Sequence, residues 1–281
     1  MARRYRQVDV FGARELGGNP VGVVLDSKGL DDHALQAFAR WTNLSETTFV
    51  SAPDDAGADY RVRIFTPDRE LPFAGHPTLG TCHAWLEAGG APRDDAVIVQ
   101  ECGAGLVRIA RTAAGLAFAA PPLVRTGPVD EQLVLRLAEM LGIGREEIVD
   151  SQWVDNGPGW VGVMLRDAES VLALRPGKVD VDIGVVGPYP EGAESAFEVR
   201  AFFSVAGSTV EDPVTGSLNA SLANWLLETG RAQAPYVASQ GTALERSGRV
   251  HISVDGEGTI WVGGSTVTCI FGEVGLEEWP G

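Results

Sequence analysis

Cysteine is scarce in this chain. Its 281 residues hold three, Cys82, Cys102 and Cys269, odd in number, widely spaced and without a C-x-x-C pair. Neither a disulfide framework nor a zinc site is therefore expected, and the three read as small buried apolar residues. Positive charge is short as well: 22 Lys and Arg stand against 38 Asp and Glu, a formal net charge of −16. Such a surface repels nucleic acid and anionic lipid, so neither is an expected partner. No run approaches the roughly eighteen apolar residues that a membrane-spanning helix needs. Arg3, Arg4 and Arg6 are followed by Gln7, Asp9 and the turn at 17 to 19 instead of an apolar stretch, so no signal peptide is expected and the chain is read as cytoplasmic. Glycine-rich nucleotide motifs, whether G-x-G-x-x-G or the P-loop, are missing, and none of the four histidines lies in H-E-x-x-H or another ligand spacing. No metal and no cofactor is expected.

What is there is an internal repeat. At an offset of 140, Val21-Gly22-Val23-Val24-Leu25 falls on Val161-Gly162-Val163-Met164-Leu165 and Trp85 falls on Trp225. With a one-residue slip Gly75 falls on Gly216 and Gly89 on Gly230, and the strands Arg61 to Phe65 and Glu198 to Phe203 match as Arg63-Ile64-Phe65 and Arg200-Ala201-Phe202. Strand, turn, polar loop and helix occur twice in one order, which predicts two pseudo-equivalent domains. Short runs rich in Val, Ile, Phe and Thr predict further strands at Val8 to Phe11, Thr47 to Val50, Val97 to Gln100, Leu106 to Ala110, Leu116 to Ala119, His251 to Val254 and Thr259 to Val262. Helices are expected at Asp31 to Thr42, capped by Asp31, and at 77 to 88, 130 to 141 and 217 to 229. The fold class is α+β, a mixed sheet or small barrel around one long helix in each half. Pro121-Pro122 is the best linker, dividing residues 1–122 from 123–265, with a C-terminal strand over about 266–281 completing the first half.

The candidate chemistry gathers at the two repeated helix starts. In Phe73-Ala74-Gly75-His76-Pro77-Thr78 a proline suited to a first helical turn follows His76, which the pattern puts directly before the helix. In Glu211-Asp212-Pro213-Val214-Thr215-Gly216-Ser217 the second helix is entered through Thr, Gly and Ser. Each start offers unpaired N–H groups and positive dipole potential, and the glycines admit a ligand to the backbone. Facing each other, the two would grip a carboxylate or a phosphate. Glu46 interrupts the start of an apolar strand in Asn43-Leu44-Ser45-Glu46-Thr47. Its context alone leaves it open between a strand-edge glutamate facing water and a general base. Gly17-Gly18-Asn19-Pro20 reads as a turn first and a substrate-facing loop second, while His33, His83 and His251 read as structural or surface residues.

These residues together resemble the phenazine-biosynthesis PhzF-like family, within the diaminopimelate-epimerase-like superfamily. The likeness runs through Val8-Asp9-Val10-Phe11, Gly18-Asn19-Pro20, Asn43 to Thr47, Arg63-Ile64-Phe65-Thr66-Pro67 with Glu70, Phe73 to Gly80, Glu211 to Ser217, Gln240-Gly241 and Gly248-Arg249-Val250. The resemblance implies two hot-dog-like domains, each a curved sheet around a central helix, an active site in the cleft between them, and frequently a homodimer. It implies a catalytic set of Glu46, His76 and Asp212, with Gly75, Gly216 and Ser217 on the substrate's carboxylate and Asn19 and Ser45 among the substrate-binding residues. The implied reaction is a cofactor-free isomerisation, in which Glu46 takes a proton from one carbon and returns it to another. Superfamily racemases and epimerases instead use two cysteines near the helix starts, and none stands in Ala74-Gly75-His76 or Glu211-Asp212-Pro213. Ala201-Phe202-Phe203-Ser204-Val205 also departs from the family's usual Arg-x-Phe-x-Pro pattern, so the substrate does not carry over. An isomerase of a small carboxylated metabolite is the leading expectation, ahead of a one-base racemase or lyase and of a non-catalytic protein that binds a small anion.

Overall fold

Valine, isoleucine and phenylalanine runs cut by glycine and proline give eighteen strands and five α-helices in a computed structural model that describes residues 2–277. In chain order these are β1 (Ala2–Val10), β2 (Asn19–Val24), α1 (Asp32–Thr42), β3 (Glu46–Ser51), β4 (Tyr60–Phe65), β5 (Glu70–Leu71) and α2 (Gly75–Glu87). There follow β6 (Val97–Cys102), β7 (Gly105–Thr112), β8 (Gly115–Ala119), β9 (Arg125–Pro128), α3 (Glu131–Leu141), β10 (Ile148–Asp155), β11 (Val161–Leu165) and α4 (Ala168–Ala173). The chain continues through β12 (Ile183–Pro188), β13 (Phe197–Val205), β14 (Ser208–Asp212), α5 (Gly216–Glu228), β15 (Tyr236–Gln240), β16 (Gly248–Val254), β17 (Ile260–Gly264) and β18 (Thr266–Gly275). Residues 278–281 of the expected C-terminal strand lie outside the described residues. No described helix is long and apolar enough to cross a membrane.

The chain forms two compact units, one reaching to Ala119 and resuming at Gly263, the other running from Ala120 to Val262. In the first, the strand order is β18-β1-β2-β3-β4-β6-β7-β8, and successive pairs are antiparallel, antiparallel, parallel, antiparallel, parallel, antiparallel and antiparallel. The second runs β9-β10-β11-β12-β13-β15-β16, with the same directions up to β16. A shared sequence of pair directions is a stronger mark of duplication than the residue matches, because each direction is fixed by a connection and not by one side chain.

Asp31 and Asp130 cap α1 and α3 through their carboxylates, accepting from Ala34 N at 2.8 Å and Leu133 N at 3.0 Å. The short α4 was not legible from periodicity; Asp167 starts it by accepting from Ser170 N at 2.8 Å. Outer helices α1 and α3 bury apolar faces, α1 through Leu35 and Phe38 on Phe49 and Phe65, α3 through Leu133, Leu137 and Leu141 on Val163 and Val185. The central helices differ in being buried nearly all round. α2 packs against β1, β2, β3, β6, β8 and β18 of its own unit. It lies so close to β2 that a Cβ on Gly80 would come within 2.3 Å of Val21 Cγ1. In α5, Leu218, Leu222, Trp225 and Leu226 are fully buried.

Two helix starts differ from expectation. The central helices begin at Gly75 and Gly216, earlier than 77 and 217, which puts His76 inside the first turn instead of before it. Pro77 is tolerated there because first-turn N–H groups have no intrahelical acceptor. Gly17 and Gly18 do turn, but Asn19 and Pro20 open β2, and Asn19 is fully buried. Of the cysteines, Cys82 and Cys102 are buried and Cys269 is half-buried.

The departure at Ser204 has a structural consequence. Pro67 follows the end of β4, and its hairpin with β5 pairs just Ile64 with Leu71 and Phe65 with Glu70. With Ser204 in the matching place, β13 continues to Val205 and pairs with β14 as far as Ser208.

Candidate active site

In the first unit the site is built where β2, β3 and the start of α2 meet. β3 begins at Glu46, and α2 carries His76 at its second position, immediately after Gly75. His76 Nε2 and Glu46 Oε2 face each other at 3.3 Å, with side-chain exposures of 4% and 15%. The His76 ring also hydrogen-bonds the backbone of Pro20, which has no N–H, so the ring donates to its carbonyl. Because Nε2 is turned to Glu46, the donor is Nδ1. That fixes the tautomer and leaves the Nε2 lone pair toward the carboxyl oxygen. Burial pulls the imidazole down to about 3, partly offset by the Pro20 bond, so the ring is neutral near pH 7 and the contact is not a standing ion pair. A proton carried on Glu46 Oε2 has the Nε2 lone pair as a second acceptor 3.3 Å away.

Asn19 stands beside Pro20 at the start of β2, Ser45 is exposed just before β3, and Gly75 is buried in the first turn of α2. The helix start has Ala74 as its N-cap, a residue with no side-chain acceptor. The turn leading into β2 is tight: Asp9 accepts from Gly18 N at 3.1 and 3.0 Å, and a Cβ on Gly18 would come within 2.0 Å of the Val10 carbonyl oxygen. Near the start of α2, Gln100 donates to Thr78 Oγ1 at 3.0 Å and accepts from Tyr60 at 3.0 Å, while Tyr60 stacks on Trp85. Cys82 lies one turn further into α2, and burial pushes its thiol up to about 12, so it is protonated at neutral pH.

In the second unit Asp212 ends β14 and is 8% exposed. Thr215, the N-cap of α5, donates its hydroxyl to Asp212 Oδ2 at 2.6 Å. Gln240 Nε2 reaches Thr215 Oγ1 at 2.9 Å and the Asp212 carbonyl at 3.2 Å. Ser217 follows Gly216 and is held from the β10–β11 turn: Asn156 Nδ2 donates to its carbonyl at 2.9 Å, and Trp160 Nε1 to its hydroxyl at 3.2 Å. Since that hydroxyl accepts from the indole, its own proton is left to donate elsewhere. Among the described residues no cluster of three or more His, Cys, Asp or Glu is placed to hold a metal ion.

Glu46 and His76 are thus brought together, as are Asp212 with the Thr215 to Ser217 turn. The two motifs occupy matching stretches, but His76 is the second residue of α2 and Ser217 the second of α5, so Ser217 and not Asp212 is the counterpart of His76. Each is tied to the entry of a matched strand, His76 to Pro20 at the start of β2 and Ser217 to Trp160 just before β11. Arg63 with Glu70 and Arg200 with Glu211 form a second matched set, each a two-bond guanidinium–carboxylate pair. Sequence reasoning missed Asn156 and Trp160, read Thr215 as part of the helix entry alone, and quoted Gln240 without a role. Gln100 and Gln240 are 140 residues apart, the offset of the repeat, and that signal was available.

The model of the PhzC-PhzF family, described as phenazine biosynthesis-like protein, matches residues 8–272. The chain is 34% identical over 293 residues to antisense-enhancing sequence 1 of Schizosaccharomyces pombe, covering 96% of this chain and 97% of that protein. It is 34% identical over 267 residues to trans-2,3-dihydro-3-hydroxyanthranilate isomerase of Pseudomonas aeruginosa, covering 91% of each. Among solved structures, a PhzF-family phenazine biosynthesis protein of Bacillus anthracis matches with a TM-score of 0.82 over 98% of this chain and 100% of that one. The identity there is 23%, and the likeness speaks to the fold.

Proposed function

This chain belongs to the PhzC-PhzF family of phenazine biosynthesis-like proteins, and from that membership we propose that it is a cofactor-independent isomerase relocating a proton on a small carboxylated, unsaturated or amino-acid-like metabolite. The observation that carries the reading is the buried approach of Glu46 Oε2 to His76 Nε2 at 3.3 Å. A buried carboxylate that faces the lone pair of a neutral imidazole of fixed tautomer can hold a proton, share it with the ring and give it back. Relocation of a proton along an unsaturated carbon frame leaves the oxidation state unchanged, so it needs no redox partner.

In the proposed cycle the substrate's carboxylate is taken by first-turn N–H groups, with Gly75 in α2 and Gly216 and Ser217 in α5 as the candidates, since neither N-cap forms a side-chain cap bond. Asn19 and Ser45 flank the rest of the molecule. Glu46 removes a proton from one carbon while the electron pair shifts along the conjugated system. His76 shares the proton, Glu46 delivers it to a second carbon, and Asp212 holds a polar group of the substrate. Neither helix start carries a thiol and Cys82 stays protonated, which sets the reading apart from racemisation by two opposed cysteines. Each unit is further read as hot-dog-like, its sheet curved around α2 or α5.

The purified protein is tested with trans-2,3-dihydro-3-hydroxyanthranilate, the compound in the name of the Pseudomonas aeruginosa relative, and with other unsaturated amino acids. Conversion to a positional isomer should fall by about 10²- to 10⁴-fold in Glu46→Gln with folding intact. Isomerisation that survives Glu46→Gln removes Glu46 as the base. Exchange of an α-proton without a shift of the double bond would make the protein a racemase, and saturable binding without exchange a non-catalytic binder.

A further inference from the structure

Gln240 is fully buried and uses every hydrogen-bonding group of its amide. Its Oε1 accepts from Thr215 N at 3.0 Å and Asn219 Nδ2 at 2.8 Å, and its Nε2 donates to Thr215 Oγ1 at 2.9 Å and the Asp212 carbonyl at 3.2 Å. A backbone N–H must meet an oxygen, so the amide cannot be turned over. With Thr215 Oγ1 accepting from Nε2, its single proton is directed at Asp212 Oδ2, 2.6 Å away. A threonine at an N-cap ordinarily accepts from the second or third N–H of its helix. Here it does not, and it serves the carboxylate instead.

We infer that Gln240 is a positioning residue, which fixes the Thr215 hydroxyl as a donor to Asp212 and thereby keeps Asp212 an acceptor in the site. The surroundings are shaped for this. Gly241 has φ +91°, and a Cβ there would come within 2.6 Å of the Pro213 carbonyl oxygen. A Cβ on Gly248 would come within 2.5 Å of Val214 Cγ2. The Asp212 to Thr215 turn is therefore seated directly on the 240–248 segment. In the first unit Gln100 bonds Thr78 and Tyr60, and the matching N-cap is Ala74, which has no hydroxyl to direct. The arrangement thus belongs to the half that carries Asp212. What the carboxylate then does to a substrate rests on the isomerase reading; the orientation itself does not.

The test reads Asp212 directly in the substrate-free full chain. The ¹³C signal of its carboxyl group, assigned by its loss in Asp212→Asn, is titrated in the wild type, Gln240→Met, Thr215→Val, their double variant and Thr215→Ser. Loss of a hydrogen bond to the ionised form moves a carboxyl titration upward. Thr215→Val and Gln240→Met should each raise the midpoint by about one unit, the double variant by no more than Thr215→Val, and Thr215→Ser by little. An unmoved midpoint in Gln240→Met, or additive shifts in the double variant, overturns the inference. Should Gln240→Met not fold, Gln240→Glu keeps the volume and both acceptor bonds, and Thr215→Val in that background should then move the midpoint far less than in the wild type; an equal shift overturns the inference. Turnover of trans-2,3-dihydro-3-hydroxyanthranilate by Asp212→Asn is measured beside it: undiminished turnover overturns Asp212's part in the isomerase reading and leaves the titration result standing.

Discussion

The neutral His76 makes a stability prediction that needs no substrate. In the unfolded chain its imidazole titrates near 6.5, and in the folded protein burial has brought it to about 3. Between those values the unfolded chain binds a proton that the folded protein refuses. The contribution is therefore intact above about pH 6.5 and is lost as the pH falls, at about 1.4 kcal/mol per unit. From pH 6.5 to pH 5 the loss from this residue is about 2 kcal/mol. His76→Asn keeps an amide N–H for the Pro20 carbonyl and removes the titrating group. It should be less stable than the wild type at pH 7.5, and the gap should narrow by about 2 kcal/mol at pH 5. Urea unfolding of both proteins at pH 7.5, 6 and 5 reads the gap, and the other histidines cancel because both proteins contain them. A gap that stays constant across that range means that His76 titrates normally in the folded state, and the neutral-imidazole account of the site fails.

Three further outcomes follow from the packing. Arg200 and Glu211 are 5% and 12% exposed, whereas Arg63 and Glu70 are 28% and 41% exposed. Arg200→Ala should cost about 3–5 kcal/mol by leaving a buried carboxylate, and Arg63→Ala about 1 kcal/mol or less, a matched comparison by denaturant titration. Gly80→Ala should cost about 1–3 kcal/mol, since a methyl 2.3 Å from Val21 Cγ1 forces α2 off β2; an unchanged melting temperature would mean that the two are less closely seated. Trp160→Phe keeps the ring in its 3%-exposed position and removes the donor to Ser217, so binding of a carboxylate substrate should weaken while the fold is retained.

Much of the architecture was legible because it is periodic. Glycine, valine and tryptophan recurring at an offset of 140 exposed the duplication, and Asp31 and the residue-130 start marked real caps. Other features escaped because they depend on partners far along the chain. α4 is six residues long, too short to show a helical period. The start of α2 was read from Pro77, whereas the helix begins two residues earlier, where glycine and histidine carry no start signal of their own. Glu46 could not be aimed from sequence: its direction follows from the parallel register of β3 on β2, which pairs Val21 with Glu46. The His76 tautomer likewise depends on a carbonyl at residue 20, and the orientation of Asp212 on Gln240, 28 residues downstream.

Glu46 as the carrier of a proton between two carbons is tested most directly by one NMR measurement. trans-2,3-Dihydro-3-hydroxyanthranilate is incubated with the protein in heavy water, and the isomerised product is examined at the carbon that gains hydrogen. The account predicts a new C–H position holding solvent deuterium together with a fraction of retained substrate proton, and loss of this transfer in Glu46→Gln. Product formed at an undiminished rate by Glu46→Gln, with the same labelling, would contradict it.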